Sequence, residues 1–207
     1  EADRMLDMGF APQIKKILQA VPRERQTMLF SATMPHEIMK IAAEHMKLPV
    51  RIEIAPAGSI ADKVTQELFI VPSNQKTALL TKLLESHQGS TLVFIRTKHG
   101  AKKITKQMGA LGINTAEIHS NRSLGQRREA LDGFKSGKYR VLIATDIASR
   151  GIDVVGIELV INYDLPTTSD NYVHRIGRTA RAGSSGHAIT FATPDELREI
   201  RSIERLI

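Results

Sequence analysis

The sequence contains no cysteine and no tryptophan among its 207 residues, and aromatic side chains make up only 4% of it. Without thiols the chain can form neither disulfide bonds nor thiolate metal sites. No apolar run approaches the ~18 to 20 residues that a membrane-spanning helix needs. The first seven residues are polar and acidic, unlike a secretory signal. These absences fit a cytoplasmic protein without a membrane partner, and we predict no metal ligands.

Positive charge is concentrated in one part of the chain. The formal net charge is +7, and residues 91–181 hold 15 basic and 8 acidic side chains, whereas residues 1–54 hold 8 and 7. Such a localised excess suggests a polyanionic partner, either nucleic acid or the phosphates of a nucleotide. The alternative is a mildly basic surface without a ligand, as many soluble domains have.

Apolar periodicity predicts strands and helices that alternate along the chain. In the first quarter we predict strands at 27–33 and 50–55 and a helix at 35–46. Turn-forming residues at 55–63 predict a linker. After it, strands are predicted at 64–72, 90–97, 114–120, 139–146, 158–166 and 186–193, and helices at 75–86, 100–112, 125–137, 169–177 and 194–207. Three positions are expected to delimit helices, namely Gly112 and Gly177 as stops and Ser169 as an N-cap.

Alternation of this kind predicts an α/β fold, a parallel sheet with helices on both faces. Ligands of such sheets bind beyond the carboxyl ends of the strands. Three predicted strands end in polar or basic residues, namely Arg96–Thr97–Lys98, His119–Ser120–Asn121 and Thr145–Asp146. Residues 1–54 offer too few strands for a sheet of their own.

The stretch ATDIASRGID (144–153) combines side chains suited to a nucleotide. Gly151 allows close backbone approach to a ligand. Asp153 can accept hydrogen bonds from sugar hydroxyls, and Arg150 can pair with a phosphate or a carboxylate. The alternative is a glycine turn with an aspartate cap.

The stretch HRIGRTARAG (174–183) places three arginines close together. On a helix, His174, Arg178 and Arg181 share one stripe, and Arg175 points about 100° away. If the helix ends at Gly177, the last two arginines lie in a loop. In either geometry their guanidinium groups form an array of donors suited to phosphate oxygens. The alternative is a solvated basic helix end.

These two stretches occur together with EADRMLDMGF (1–10), SATMP (31–35) and VFIRT (93–97). In order and spacing the five segments resemble those of DEAD-box ATP-dependent RNA helicases, over essentially the whole chain. The resemblance implies a RecA-like fold. Residues 64–207 would form the second RecA-like domain, and residues 1–54 would be the C-terminal remnant of the first, ATP-binding one, with the linker at 55–63 between them.

The resemblance also implies roles for individual residues, with ATP between the two RecA-like domains and RNA across both. Hydrolysis would involve Glu1 and Asp3, with Arg178 and Arg181 as arginine fingers. Coupling between domains would involve Ser31, Thr33, Arg150 and His174, and the ribose would contact Gly151 and Asp153. RNA would be held by its backbone, with little sequence specificity, through Thr97, Lys98, His119, Ser120, Arg122, Arg127 and Thr145.

The chain also departs from the family pattern. It has no GxxxxGK[ST] phosphate loop, and no adenine-reading segment or Mg²⁺-organising aspartate of the first domain. We therefore expect ATP and Mg²⁺ to act only in a parent protein that includes the first domain, and the isolated chain to be inactive in hydrolysis. Leu124 stands where the family commonly has a glutamine, and Gln126 is out of register, which puts that RNA contact in question.

Other functions are compatible with parts of this pattern. A stand-alone RNA- or protein-binding module could retain the fold, although it would have no use for residues that act across an ATP cleft. A DNA translocase of the same superfamily is disfavoured by the closeness of the motifs. We also expect residues 1–54 either to be poorly ordered or to pack against another copy of the chain, since their own sheet is absent.

Overall fold

A computed structural model describes residues 2–7, 9–31, 34, 36–52, 64–146, 148, 154–180 and 185–207. The chain divides into two compact units, Glu1–Ala57 and Gly58–Ile207. The predicted linker at 55–63 lies outside the described residues. In the described part of the chain, no helix is long and apolar enough to cross a membrane.

The first unit is helical where it is described. Its elements are α1 (Ala2–Asp7), α2 (Ala11–Ala20) and α3 (His36–His45). The third of these confirms the helix predicted at 35–46, although Pro35 itself is not among the described residues.

The two strands predicted in the first unit are wrong for the residues that the structure describes. Residues 27–31 and 50–52 form no strand. In the first of these segments, the Phe30 carbonyl accepts a hydrogen bond of 3.0 Å from the Ala2 N–H of α1. A strand exists only through pairing with a neighbour, and no neighbouring strand lies in the described part of this unit. Apolar side chains of these segments are therefore left exposed, among them Met28, Phe30, Val50 and Ile52.

The second unit alternates strands and helices as predicted. Its strands are β1 (Val64–Ile70), β2 (Thr91–Phe94), β3 (Thr115–Ile118), β4 (Val141–Ala144), β5 (Leu159–Asn162) and β6 (Gly186–Ala192). Its helices are α4 (Lys76–Ser86), α5 (Lys98–Ala110), α6 (Leu124–Lys135), α7 (Ser169–Ile176) and α8 (Leu197–Glu204), the last preceded by a 3₁₀ turn at Pro194–Glu196.

All strand pairs in the sheet are parallel, in the order β1-β6-β5-β2-β4-β3. The strands β2, β4 and β5 lie inside the sheet and are buried on both faces, because helices cover both. Apolar residues of α4 and α5 pack on one face, and those of α6, α7 and α8 pack on the other. The predicted RecA-like α/β architecture is thus confirmed.

Local signals explain where α5 stops. Gly112 has a φ of +77°, a left-handed conformation that costs glycine little. The Ile113 N–H donates to the Met108 carbonyl at 3.1 Å, and the Gly112 N–H donates to the Gly109 carbonyl at 3.0 Å. These two bonds satisfy carbonyls that the helix end would otherwise leave open. The chain can therefore turn directly into β3, as predicted from the glycine.

Candidate nucleic-acid interface

The carboxyl ends of three neighbouring strands bring most of the predicted RNA-binding residues to one edge of the sheet. In the sheet, β4 lies between β2 and β3. Thr97 and Lys98 follow β2, Thr145 follows β4, and the loop 119–122 follows β3. The strands are parallel, so these residues share one edge, which we call the carboxyl edge.

A side-chain contact joins the first and last of these segments. Lys98 Nζ donates to Asn121 Oδ1 at 3.0 Å. Thr97 is exposed and caps α5, since its Oγ1 accepts from the Gly100 N–H at 3.0 Å. The Thr97 hydroxyl therefore has a structural role as well as the predicted one. Asn121 belongs to the loop 119–122 that was predicted to face RNA, and its contact with Lys98 was not predicted.

The loop after β3 is built around a buried carboxylate. Glu117 is 6% exposed and forms an ion pair with Arg122, whose side chain is 35% exposed. His119 is 4% exposed, and its Nδ1 accepts from the Asn121 N–H at 3.2 Å. The histidine thus lies inside the loop, whereas Ser120 is exposed. Sequence reasoning missed Glu117, although an acidic residue within an otherwise apolar strand was a signal.

Gln126 helps to begin the helix α6. Ser123 Oγ accepts from the Gln126 N–H at 3.3 Å, and Gln126 Oε1 accepts from the Ser123 N–H at 3.1 Å. This reciprocal pair is a capping box, so the glutamine serves the helix start. Leu124 is 81% exposed. Arg127 Nη2 donates to the Ala148 carbonyl at 3.3 Å, which ties α6 to the turn after β4.

The helix α7 begins at Ser169, as predicted, but its N-cap lies one residue earlier than predicted. Its N-cap is Thr168, whose Oγ1 accepts from the Asn171 N–H at 3.4 Å, so the prediction of Ser169 as the cap is wrong. Thr168 has the extended backbone that an N-cap requires, and Ser169 is already helical. The predicted end at Gly177 is confirmed. Tyr172 anchors the helix by donating to Gln66 Oε1 on β1 at 2.8 Å.

Arg175 is a buried tether between two strand ends. It is 2% exposed, and its Nε and Nη2 donate to the two carboxylate oxygens of Asp146 at 2.6 and 2.8 Å. Its Nη1 donates to the Asp164 carbonyl at 2.6 Å and to Asn162 Oδ1 at 3.2 Å. The guanidinium carbon lies 5.0 Å from the centre of the Phe94 ring. A bidentate pair of this kind fixes α7 against the ends of β4 and β5.

Sequence reasoning assigned Arg175 no role. The available signal was its direction on the helix, about 100° away from His174. His174 and Arg178 are half-buried, and Arg178 lies just beyond the helix, where its N–H donates to the Arg175 carbonyl at 3.1 Å. The tether thus places the end of α7 beside the Thr145–Asp146 segment.

The remaining predicted site residues divide into two groups. Asp3 is 7% exposed, and its N–H donates to Ser31 Oγ at 3.1 Å, so these two are brought together. The others lie outside the described residues, namely Glu1, Thr33, Arg150, Gly151, Asp153 and Arg181. Among the residues that are described, no group of three or more His, Asp or Glu side chains is arranged to hold a metal ion.

A four-membered ion network lies where the ends of β2 and β5 meet. Lys76 is 4% exposed, and its Nζ is 3.7 Å from both Asp164 Oδ1 and Glu196 Oε2. Arg96 Nη2 is 3.3 Å from Glu196 Oε1, and the Arg96 N–H donates to Asp164 Oδ2 at 2.9 Å. The network therefore fixes Arg96, the residue before Thr97, through its side chain and through its backbone N–H.

We expect Glu196→Gln to remove a stabilising contribution that depends on pH. Burial raises the pKa of Glu196, but the hydrogen bond from the Thr193 N–H and the charge of Lys76 outweigh burial and hold the pKa below its ordinary 4.5. A carboxylate whose pKa is lower in the folded state stabilises above the unfolded pKa and loses this effect as the pH falls through the folded pKa. Glutamine still completes the capping box with Thr193.

Urea unfolding between pH 7 and pH 3 measures this effect. The free energy of unfolding of the variant should lie up to about 1 kcal/mol below that of the parent chain at pH 7, and the two should converge at the acidic end. A difference that stays constant across this range would contradict the expectation.

Comparison with known proteins places these features in a family. Residues 75–183 match the model described as helicase conserved C-terminal domain, and residues 1–41 match the model described as DEAD/DEAH box helicase. The ATP-dependent RNA helicase DbpA of Bacillus subtilis is 42% identical over 100% of this chain, which covers 43% of that protein. The ATP-dependent RNA helicase vasa of Drosophila melanogaster is 43% identical over 97% of this chain, which covers 31% of it.

Solved structures agree with these matches. A DEAD box protein from Methanococcus jannaschii is 40% identical with a TM-score of 0.67, over 99% of this chain and 55% of that one. Dbp5 of S. cerevisiae bound to RNA and ADP BeF3 is 29% identical with a TM-score of 0.88, over 100% of this chain and 55% of that one. The chain thus spans less than half the length of the two curated relatives, DbpA and vasa. Because one family model covers more than half of the chain and relatives above 40% identity match nearly all of it, the chain belongs to the DEAD-box ATP-dependent RNA helicases.

Proposed function

We propose that this chain supplies part of the RNA-binding surface and one wall of the ATP site of an ATP-dependent RNA helicase that remodels RNA duplexes. The observation that carries the proposal is the shared carboxyl edge, where Lys98, Thr145 and Arg122 follow three adjacent strands. The names of the relatives support it, as does the similarity to Dbp5 in its complex with RNA and ADP BeF3.

RNA is held at the carboxyl edge by its sugar and phosphate groups. Lys98 and Arg122 supply positive charge, and their side chains are oriented by Asn121 and Glu117 respectively. Thr97, Ser120, Arg127 and Thr145 make further contacts with the sugar and phosphate groups of the RNA. His119 is buried and acts by shaping the loop. Contacts to phosphate and sugar carry no base information, so binding is largely independent of sequence.

ATP is hydrolysed at the junction with the first RecA-like domain of the parent protein. Arg178 and Arg181 stabilise the negative charge that develops on the transferring phosphoryl group. Gly151 and Asp153 hold the ribose. Glu1 orients the attacking water, and the coupling of hydrolysis to RNA runs through Asp3, Ser31, Thr33, Arg150 and His174. Any Mg²⁺ is held by groups of the parent's first domain together with the phosphates of ATP.

Binding of RNA to the 207-residue chain tests the RNA part of the proposal. Lys98→Ala and Arg122→Ala are each expected to weaken the binding of homopolymeric single-stranded RNAs of different base composition by similar factors. Each should also make the plot of log affinity against log salt shallower by about 0.7, the value for one lost phosphate contact. Fluorescence anisotropy at several salt concentrations measures both quantities.

Lys135→Ala is the matched control, because Lys135 is an exposed cation at the opposite end of α6. The control should leave both the affinity and the salt slope unchanged. Losses that depend strongly on the base, or a control that weakens binding as much as the edge variants, would contradict backbone recognition at the carboxyl edge.

A further inference from the structure

The helix α5 carries an unusual one-sided charge. It contains four lysines and one histidine and no acidic residue. Its apolar side faces the sheet through Ala101, Ile104 and Met108, all of them buried. At about 100° per residue, the side facing away from the sheet includes four exposed residues that carry basic groups, His99, Lys102, Lys103 and Lys106. We call these four residues the α5 basic face.

The charges of this face are not compensated within the described part of the chain. Lys102, Lys103 and Lys106 make no ion pair and no hydrogen bond there, whereas the exposed cations Lys47, Arg128 and Lys138 each pair with a carboxylate. Lys138, for example, lies 3.4 Å from Glu129. Like charges three and four residues apart destabilise a helix by a few tenths of a kcal/mol per pair. A cluster of this kind is therefore better suited to a polyanionic ligand than to an unliganded surface.

The position of the face indicates which polyanion. The first residue of α5 is Lys98, which contacts Asn121 of the RNA-facing loop. The basic face continues from this point along the helix, and Lys106 lies ~12 Å beyond Lys98 at 1.5 Å per residue. At roughly 3.4 Å of axial rise per nucleotide, that distance covers about three nucleotides.

The composition of the face disfavours other partners. A helix that lies on a membrane pairs its lysines with Trp, Phe or Leu, and the exposed residues of α5 include none of these. Protein interfaces are depleted in lysine, whereas phosphate backbones are neutralised by it.

We propose that the α5 basic face binds the RNA backbone beyond the carboxyl edge and so lengthens the strand that the chain holds. This proposal rests on the proposed function, because it extends the same RNA path. It predicts an affinity contribution that appears only when the RNA is long enough to reach Lys102 and the lysines after it.

The triple variant Lys102→Gln/Lys103→Gln/Lys106→Gln tests the proposal, with RNAs of about 6 and about 20 nucleotides as probes. Glutamine has a helix propensity close to that of lysine, so α5 should still form. For the long RNA we expect the salt slope to become shallower by about 2 and the affinity at 0.1 M salt to fall between tenfold and roughly 100-fold. For the short RNA we expect no change.

The matched control is Arg198→Gln/Arg201→Gln/Arg205→Gln, which removes three exposed charges from α8 and the residue that follows it, on the other face of the sheet. An equal loss of long-RNA affinity in the control would show a net-charge effect and overturn the proposal. An unchanged affinity of the α5 variant for the long RNA would also overturn it. Failure of the unsubstituted chain to bind either RNA would instead reject the proposed function itself.

Discussion

Arg175→Met is expected to lower the free energy of unfolding of the second unit by about 3 to 5 kcal/mol, a large part of the 5 to 15 kcal/mol typical of a domain. The guanidinium is 2% exposed and makes four hydrogen bonds. Methionine fills much of the same volume but removes the two hydrogen bonds to the Asp146 carboxylate and the one to Asn162 Oδ1. The cost comes from these lost bonds, because the Asp146 carboxylate keeps most of its desolvation cost but loses its bidentate partner.

Urea unfolding of the parent chain, the single variant and Arg175→Met/Asp146→Asn measures this effect. The double variant also removes the carboxylate charge of Asp146 and should recover part of the loss. Arg175→Lys retains the positive charge but not the bidentate geometry, so it should lie between the parent chain and the methionine variant. A change of less than about 1 kcal/mol in Arg175→Met would contradict the role of this side chain as a tether.

Arg178→Ala is expected to lower kcat for ATP hydrolysis by about 10³- to 10⁵-fold in a protein that joins this chain to a complete first RecA-like domain. An arginine finger acts on charge that develops in the transition state, so kcat should fall far more than KM for ATP rises. Arg178→Lys should restore little, because an ammonium group lacks the planar fork of donors.

RNA-stimulated ATPase assays measure this prediction, with Arg198→Ala on α8 as a control that should leave turnover unchanged. The isolated 207-residue chain should show no RNA-stimulated hydrolysis, since it has no phosphate-binding loop. Turnover in the isolated chain would reject the proposal that it supplies only one wall of the ATP site. An Arg178→Ala variant within tenfold of the parent protein would reject the finger assignment.

Features of this fold that depend on neighbouring residues in the sequence were predictable. The apolar run of β4 and the glycine after α5 are local signals. The strand β4 lies within the predicted range, and the chain turns at Gly112 as predicted. The N-cap of α7 was harder to predict, because Thr168 and Ser169 both carry a hydroxyl that could cap the helix. The extended backbone of Thr168 decides between them, and that conformation depends on how the chain leaves β5.

Features that depend on distant partners were not predictable. The segments 27–31 and 50–52 have the apolar patterns of strands but lack a neighbour to pair with in the described part of their unit. The arginines of HRIGRTARAG look alike in the sequence, yet Arg175 is buried because Asp146 and the Asp164 carbonyl lie within reach of its guanidinium. Likewise, the role of Gln126 became clear only through its capping bond to Ser123.

The pairing of the first strand of the sheet with the last has a consequence during protein synthesis. Val64 of β1 lies in register with Gly186 of β6, and β6 is the strand that connects β1 to the rest of the sheet. A ribosome that adds 5 to 20 residues per second makes β1 wait roughly 6 to 25 seconds for its neighbour. During that interval β1 is an unpaired strand, open to association with other nascent chains. Completion of this sheet is therefore limited by translation of its C-terminal strand, and slowing the ribosome over residues 70–186 should increase aggregation.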